Sequence, residues 1–280
     1  MDRKTVEIIK QALAEDAVDQ DVTSLNLINK EQILSGSFIV KSTGVVSGID
    51  VVKEVYRQIN PKIKLDILRD NGTFVNRGDV IASIEGPMRD ILRGERVALN
   101  FLQRMSGIAA ITAKYLQEIV GTEAQLMDTR NTTPLLRGLE REAVNDAKGL
   151  NEHLNLSDQV VITSNHIATL GGIKNAVVEA KKIVGRSMKI EVEVENMEEY
   201  VEASTTSCDI ITLINMTNEQ IKEIVELNNK KKKIKVSGNI ELKKIRSIAT
   251  LGVDYIAVQL LTHSYKALDI QLRVYKRMYK

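Results

Sequence analysis

Apolar positions along the chain change period near its middle, and the change separates two regions. Over residues 4–15 (KTVEIIKQALAE) they recur at helical spacing, and they do so again from Ile49 to Ile59. Around these helices lie short strand-like runs, Gly36 to Lys41, Lys64 to Leu68 and Val80 to Ile84, punctuated by Asp70-Asn71-Gly72 and Arg77-Gly78-Asp79. Asp16 to Thr23 is polar and reads as a loop or a helix start. This texture predicts a small sheet domain with helices. Residues 91–119 form one apolar-periodic stretch, long enough that a break is expected at Ser106-Gly107.

Beyond that point the rhythm is regular. Strand candidates begin near Ala124, Gln159, Lys189, Asp209, Ile234 and Asp254, with helical spacing between them, as over Lys174 to Val184, Asn218 to Leu227 and Leu242 to Thr250. Such alternation predicts βα units and a parallel sheet, either doubly wound or curled into a barrel. The run Lys189 to Glu195 alternates strictly, with Ile190, Val192 and Val194 on one face and Lys189, Glu191, Glu193 and Glu195 on the other. It fits an edge strand with a wetted face. It also fits a strand that aims Glu193 into a polar barrel mouth, provided cations or hydroxyls meet the carboxylates.

Composition then removes several function classes. The 280 residues carry 39 basic and 37 acidic side chains, a net charge of +2, whereas a nucleic-acid partner calls for a basic excess. No run of about eighteen apolar residues is present, so no membrane span is expected. The start, Met1-Asp2-Arg3-Lys4, leads into a mixed polar pattern without an apolar signal region, and a cytoplasmic protein is expected. A lone Cys208 excludes an internal disulfide framework and a multi-cysteine zinc site, and His153, His166 and His263 are too dispersed for a metal motif.

In βα folds ligands bind at the C-terminal ends of the strands. Here those ends read Asp128 to Pro134, Thr163 to His166, Glu193 to Asn196, Ile214-Asn215, Ser237-Gly238-Asn239 and Gln259 to Ser264. They are the densest clusters of small polar groups in the chain. The Ser237-Gly238-Asn239 loop leads into a helix whose amides would suit a phosphate monoester, although most such triplets are ordinary turns. Arg130 and Arg137 bracket Thr132 and Thr133, and an arginine can grip a carboxylate or phosphate with two parallel hydrogen bonds. The plain alternative is a surface turn whose arginines pair with Glu140 and Glu142. His166 and His263 read as structural, and Lys230 to Lys233 as a solvated loop leading into a strand.

Longer motifs carry a family resemblance. Gly94 to Ile108 (GERVALNFLQRMSGI) resembles the signature helix of quinolinate phosphoribosyltransferases, also called carboxylating nicotinate-nucleotide pyrophosphorylases. Asp128 to Pro134 (DTRNTTP) and Glu191 to Asn196 (EVEVEN) resemble the family's next motifs, and Gly252 to Ile256, Leu261 to Ser264 and Ala267 to Ile270 its C-terminal end. The resemblance implies an α/β protein: an N-terminal open-faced α/β sandwich over residues 1–112, joined by a C-terminal helix over 268–280, and an incomplete parallel α/β barrel of about six strands over 113–267 that carries the active site. It implies a homodimer or hexamer, with Arg96 reaching into the partner's site. The reaction implied is transfer of ribose 5-phosphate from phosphoribosyl pyrophosphate, with Mg2+, to quinolinate or a related, less acidic pyridine-like acceptor. Under the resemblance Glu193 and Arg130 are catalytic and Glu193 also takes the metal. Arg96, Arg130, Thr132, Lys148, His153, Ser237, Gly238 and Asn239 bind the substrates.

Several family positions are altered. Asn131 stands where the family has lysine, Asn151-Glu152-His153 where it has Asn-His-Arg, and Thr163 and Ser164 where it has lysine and aspartate. Ile214 replaces an acidic residue, Gln259 a glycine, and Ala147-Lys148-Gly149 a triple-glycine turn. Three cations are lost and one carboxylate is gained, with only a protonated His153 and Lys148 to compensate. The expected function is a transferase with altered or weakened acceptor recognition. The alternative is an impaired relative acting as a binding or assembly subunit, or one repurposed for another reaction.

Overall fold

The computed structural model describes residues 1–184 and 188–275. In chain order the elements are α1 (Arg3–Glu15), α2 (Val22–Leu27), β1 (Ile33–Val40), β2 (Gly44–Val45), α3 (Ile49–Ile59), β3 (Lys64–Ile67), β4 (Phe74–Val75), β5 (Val80–Pro87), α4 (Met88–Glu118), β6 (Gln125–Met127), α5 (Arg137–Asp146) and β7 (Val160–Ile162). There follow α6 (Ser164–Leu170), α7 (Ile173–Val184), β8 (Ile190–Val194), α8 (Met197–Ser204), β9 (Ile210–Ile214), α9 (Asn218–Asn228), β10 (Lys233–Gly238), α10 (Leu242–Ala249), β11 (Tyr255–Val258), α11 (Leu260–His263) and β12 (Ile270–Tyr275). Among the described residues no helix is long and apolar enough to cross a membrane.

The chain forms two compact units. One gathers residues 1–113, 133–148 and the segment from Tyr265 onward; the other holds 114–132 and 149–264. In the first unit an antiparallel sheet runs in the order β12-β1-β5-β3, beside a short β2–β4 pair. Alternation along β1 buries Leu34, Phe38 and Val40. Phe38 and Val40 belong to a core with Val52, Val55 and Tyr56 of α3 and Ala98, Leu102 and Met105 of α4. Asp21 turns the polar stretch after α1 into a helix start, its carboxylate accepting from Thr23 N at 2.9 Å and Ser24 N at 3.0 Å.

Three expectations are corrected in this unit. The C-terminal segment is not a helix where it is described. Ile270–Tyr275 pairs antiparallel with β1, from Val40↔Ile270 to Ser35↔Tyr275, and its apolar Ile270, Leu272 and Val274 alternate with period two; residues 276–280 lie outside the described residues. Residues 133–148, assigned to the barrel domain from sequence, join the first unit instead, where Leu139, Ala143 and Val144 enter the core. Finally, α4 is continuous through Ser106-Gly107.

Those two small residues serve packing rather than a break. The buried Ser106 hydroxyl accepts from Ser47 N and donates to Ser47 O, each at 3.0 Å. A Cβ on Gly107 would lie 2.5 Å from Lys266 O and 2.9 Å from the Ala267 Cα. Gly107→Ala is therefore expected to destabilise the protein by roughly 1–3 kcal/mol, because backbone rather than a flexible side chain must give way. Urea denaturation checks this; an unchanged midpoint would refute the close approach.

The second unit is built on a parallel sheet in the order β6-β11-β10-β9-β8-β7, with a parallel bridge Met127↔Leu150 on the outer side of β6. All six predicted strands are present, and the sheet is the incomplete α/β barrel of the expectation. One face of each strand is sealed: Val192, Val194, Ile211, Leu213, Ile234, Val236, Ile256 and Val258 are buried. Because β8 lies between β7 and β9, the edge-strand reading of Lys189 to Glu195 does not hold. Its acidic face points inward, and the price of that arrangement shapes the site.

Candidate active site

Strand register builds a polar layer inside the second unit. Glu193 of β8 pairs with Thr212 of β9, and Thr212 with Lys235 of β10. Glu191, one alternation below Glu193, is buried at 1% exposure, and Lys235 at 3%. A carboxylate so deep needs a cation and hydrogen-bond donors. It has both: Lys235 Nζ lies 2.5 Å from Glu191 Oε1, Thr212 Oγ1 donates to the same oxygen at 2.7 Å, and Gln159 Nε2 donates to Oε2 at 2.7 Å. Lys235 also donates to Glu152 Oε1 at 2.5 Å. Burial alone would pull the Lys235 ammonium down, yet the Glu191 and Glu152 carboxylates hold its pKa above the ordinary lysine value.

Glu152 extends the network to the end of β6. Its Oε2 accepts from Arg130 N at 3.2 Å, while its own N–H donates to the fully buried Asp128 carboxylate at 2.7 Å. Asn151 Nδ2 donates to the other Asp128 oxygen at 2.8 Å. Arg130 Nη1 stands 3.4 Å from His153 Nε2, and Arg130 Nε is buried without a hydrogen-bond partner among the described residues. Burial, reinforced by the Arg130 charge, pushes the His153 pKa below the ordinary histidine range. The protonated His153 considered from sequence as a replacement cation is thus corrected: at neutral pH the ring is uncharged.

Glu193 differs from Glu191. It is half-buried and accepts no hydrogen bond from any described residue. Burial, then the like charge of Glu191, raises its carboxyl pKa above the ordinary range, with Lys235 opposing.

The Ser237-Gly238-Asn239 loop lines a cleft of about 470 Å3, together with Asn215, Thr217 and Lys244. Gly238 has φ +143°, a backbone conformation that favours glycine, and a Cβ there would fall 2.6 Å from the Asn215 side-chain oxygen, which would have to move. The cleft opens above α10, whose first-turn amides have no side-chain cap.

The remaining sites distribute as follows. Asn131 Nδ2 donates to Gln259 Oε1 at 2.7 Å, and Thr262 Oγ1 donates to Asn131 O at 2.8 Å, so two of the altered positions form one tie between the ends of β6 and β11. Thr163 caps α6, where its N–H donates to His166 Nδ1 at 3.1 Å; His166 is structural, as read. Ile214 ends β9 half-buried, in register with Ser237. Thr132 closes the segment that ends in the second unit, and its neighbour Thr133 opens one in the first. There Thr133 N donates to Glu140 at 3.1 Å, and Arg104 of α4 binds both the Thr133 hydroxyl and the buried Glu140 carboxylate. Glu140 is therefore not the exposed partner of a surface arginine. Arg96 and Lys148 also belong to the first unit, both exposed, with Lys148 at φ +73°, a conformation that favours glycine.

Sequence reading missed Lys235, Glu191 and Lys244. The signal for Lys235 was available: in Lys233-Ile234-Lys235-Val236-Ser237 it shares the face of Ser237. The lysine run before it is also less free than expected, for Lys232 Nζ donates to Thr206 O and Cys208 O, and Lys233 to Asp254.

Taken alone, fold and geometry define a barrel-type α/β protein whose polar groups gather at the carboxyl ends of its strands. Comparison with known proteins makes this specific. The N-terminal domain of quinolinate phosphoribosyl transferase matches residues 21–106, and its C-terminal domain residues 108–273. The chain is 34% identical over 267 residues to a probable carboxylating nicotinate-nucleotide pyrophosphorylase of Bacillus subtilis, covering 95% of this chain and 92% of the relative. It is 35% identical to the chloroplastic carboxylating nicotinate-nucleotide pyrophosphorylase of Oryza sativa, covering 95% and 76%. Among solved structures, NadC of Streptococcus pyogenes superposes with a TM-score of 0.92 at 34% identity, over 96% of both chains. The chain belongs to the quinolinate phosphoribosyltransferase family.

Proposed function

We propose that this protein is a phosphoribosyltransferase that joins ribose 5-phosphate from phosphoribosyl pyrophosphate to quinolinate or a related, less acidic pyridine acid. The observation that carries the reading is the match of both family domains in order along nearly the whole chain, with relatives named as carboxylating nicotinate-nucleotide pyrophosphorylases. In this reading the 5-phosphate lies in the cleft of Ser237, Gly238 and Asn239, against the amides of α10 and the Lys244 ammonium. Glu193 faces the ribose, where a carboxylate without hydrogen-bond donors of its own favours positive charge developing at the anomeric carbon. Arg130, with its buried unpartnered Nε, takes an anionic group of the acceptor. Thr132 and His153 complete the substrate contacts, with His153 acting as a neutral ring. Arg96, exposed on α4, serves the site of a second copy in a homodimer or larger assembly.

Among the described residues no three metal-binding side chains cluster, so the chain offers no complete cage for Mg2+. The donor set fits a metal shared between one carboxylate, Glu193, and substrate phosphates, the usual mode for this ion. When bound, Mg2+ would neutralise charge on the departing pyrophosphate. A cytoplasmic setting agrees with a single, buried cysteine, Cys208.

The test is pyrophosphate release by the purified chain with phosphoribosyl pyrophosphate, Mg2+ and quinolinate, alongside Gly238→Ala. The wild-type chain is expected to release pyrophosphate only when an acceptor is present. Gly238→Ala is expected to raise KM for phosphoribosyl pyrophosphate by about tenfold or more, one lost charged hydrogen bond being worth that much. An unchanged KM would remove the cleft from the site.

A further inference from the structure

Under the transferase reading Arg130 takes an anionic group of the acceptor, yet the strand ladder does not hold its main-chain N–H. β6 ends at Met127, and the Asp128 N–H still donates to Leu150 O at 3.0 Å. The Arg130 N–H instead donates to the Glu152 carboxylate, 3.2 Å from Oε2. The next residue along reaches the far end of the same side chain, where His153 Nε2 stands 3.4 Å from Arg130 Nη1. Glu152 is itself fixed at both ends. Its N–H donates to the buried Asp128 carboxylate at 2.7 Å, and its second oxygen, Oε1, takes the Lys235 ammonium at 2.5 Å. Lys235 is buried and lies equally close to Glu191, so the cation under Glu152 is anchored from the other side. In the sequence Glu152 counts as a carboxylate gained beside an anion-binding arginine. In the folded chain that charge is turned onto a buried ammonium and a main-chain amide.

We propose that Glu152, braced by Lys235, is a positioning residue: it fixes the main chain of Arg130 so that the guanidinium, with its buried open Nε, meets the acceptor in one orientation. This rests on the transferase reading given above. A carboxylate suits the task because it accepts from both donors at once, one oxygen for the Lys235 ammonium and one for the Arg130 N–H. An amide has a single acceptor oxygen, and the ammonium is the stronger claimant on it. Its NH2 group is then left facing the Arg130 N–H, donor against donor. An aspartate keeps the charge but is one methylene short of spanning both partners. Neither change strands Lys235, which keeps Glu191 at 2.5 Å, so both variants are expected to fold. Two roles for Glu152 therefore differ in sign. Removing an unfavourable charge from the acceptor's path would tighten acceptor binding, whereas removing a brace loosens it.

Pyrophosphate release by the full chain with Mg2+ is measured while quinolinate and phosphoribosyl pyrophosphate are varied in turn. Glu152→Gln is expected to raise KM for quinolinate by about tenfold, the size of one charged hydrogen bond, while KM for phosphoribosyl pyrophosphate stays within about twofold. Glu152→Asp is expected to move the same way, and it decides the matter if the glutamine variant does not fold. A lower or unchanged KM for quinolinate in a folded variant overturns the proposal. So does a fall in kcat with both KM values unchanged, the pattern of a merely smaller folded fraction. In either case the wild-type chain still turns over, and the transferase reading stands. A wild-type chain that releases no pyrophosphate with quinolinate would remove that reading, and the proposal with it.

Discussion

Glu193→Gln is expected to lower turnover by about 10²–10³-fold while making the folded protein more resistant to heat at neutral pH. The two effects have one origin. Burial and the neighbouring Glu191 carboxylate disfavour the ionised form of Glu193, which is why its pKa lies above the ordinary carboxylate range. A group whose folded pKa is raised contributes most to stability below its unfolded pKa, and that contribution is lost as pH rises through the folded value. The wild-type chain therefore loses stability relative to the glutamine variant on going from acid to neutral pH. Activity runs the other way, because only the ionised carboxylate favours a cationic ribosyl group, and turnover should fall on the acid side at a higher pH than an ordinary glutamate would give. Thermal melts and steady-state rates across pH 4–8 check both limbs (a range of roughly that width spans the titration). A variant that keeps full turnover, or one whose melting advantage grows toward acid pH, would contradict this assignment.

Lys235→Met is expected to cost the fold about 3–5 kcal/mol, the range for breaking a buried ion pair on one side only. The methionine fills nearly the same volume, so the loss is electrostatic: Glu191, at 1% exposure, and Glu152 would face each other without their shared cation. A second change, Glu191→Gln, should recover much of the stability, because a neutral amide can still meet Thr212 and Gln159. Urea denaturation of the single and double variants measures the coupling. If Lys235→Met falls within about 0.5 kcal/mol of wild type, the ordinary range for surface substitutions, the triad does not support the barrel.

Most of the fold was legible because its elements carry clean periods. The six barrel strands are short and apolar on their outer face, and the helices between them repeat every three to four residues. What the sequence hid depends on contacts between distant segments. Gly107 looked like a helix break because glycine weakens helices locally, and only the return of Lys266 and Ala267 against α4 explains it. In the site, Glu193 was readable from the alternation of β8, together with the condition that cations or hydroxyls must meet an inward carboxylate. The hydroxyl and the cation, Thr212 and Lys235, proved to meet Glu191 one alternation below, on strands that register alone brings alongside. Asn131 and Gln259 counted as two separate departures until the chain folded them into one hydrogen bond. Loss of charge at each position is visible in a sequence; the pairing of two neutral replacements is not.

The pairing of β12 with β1 also sets an order of events during synthesis. One edge of β1 lacks its neighbour until Ile270–Tyr275 has been made, whereas the barrel strands and helices between residues 114 and 264 are already complete by then. The nascent chain thus carries an open sheet edge through most of translation, a surface prone to joining the wrong partner. Ribosome-bound chains halted before Ile270 should therefore depend on chaperones for their N-terminal region, and release of the last strand should end that dependence.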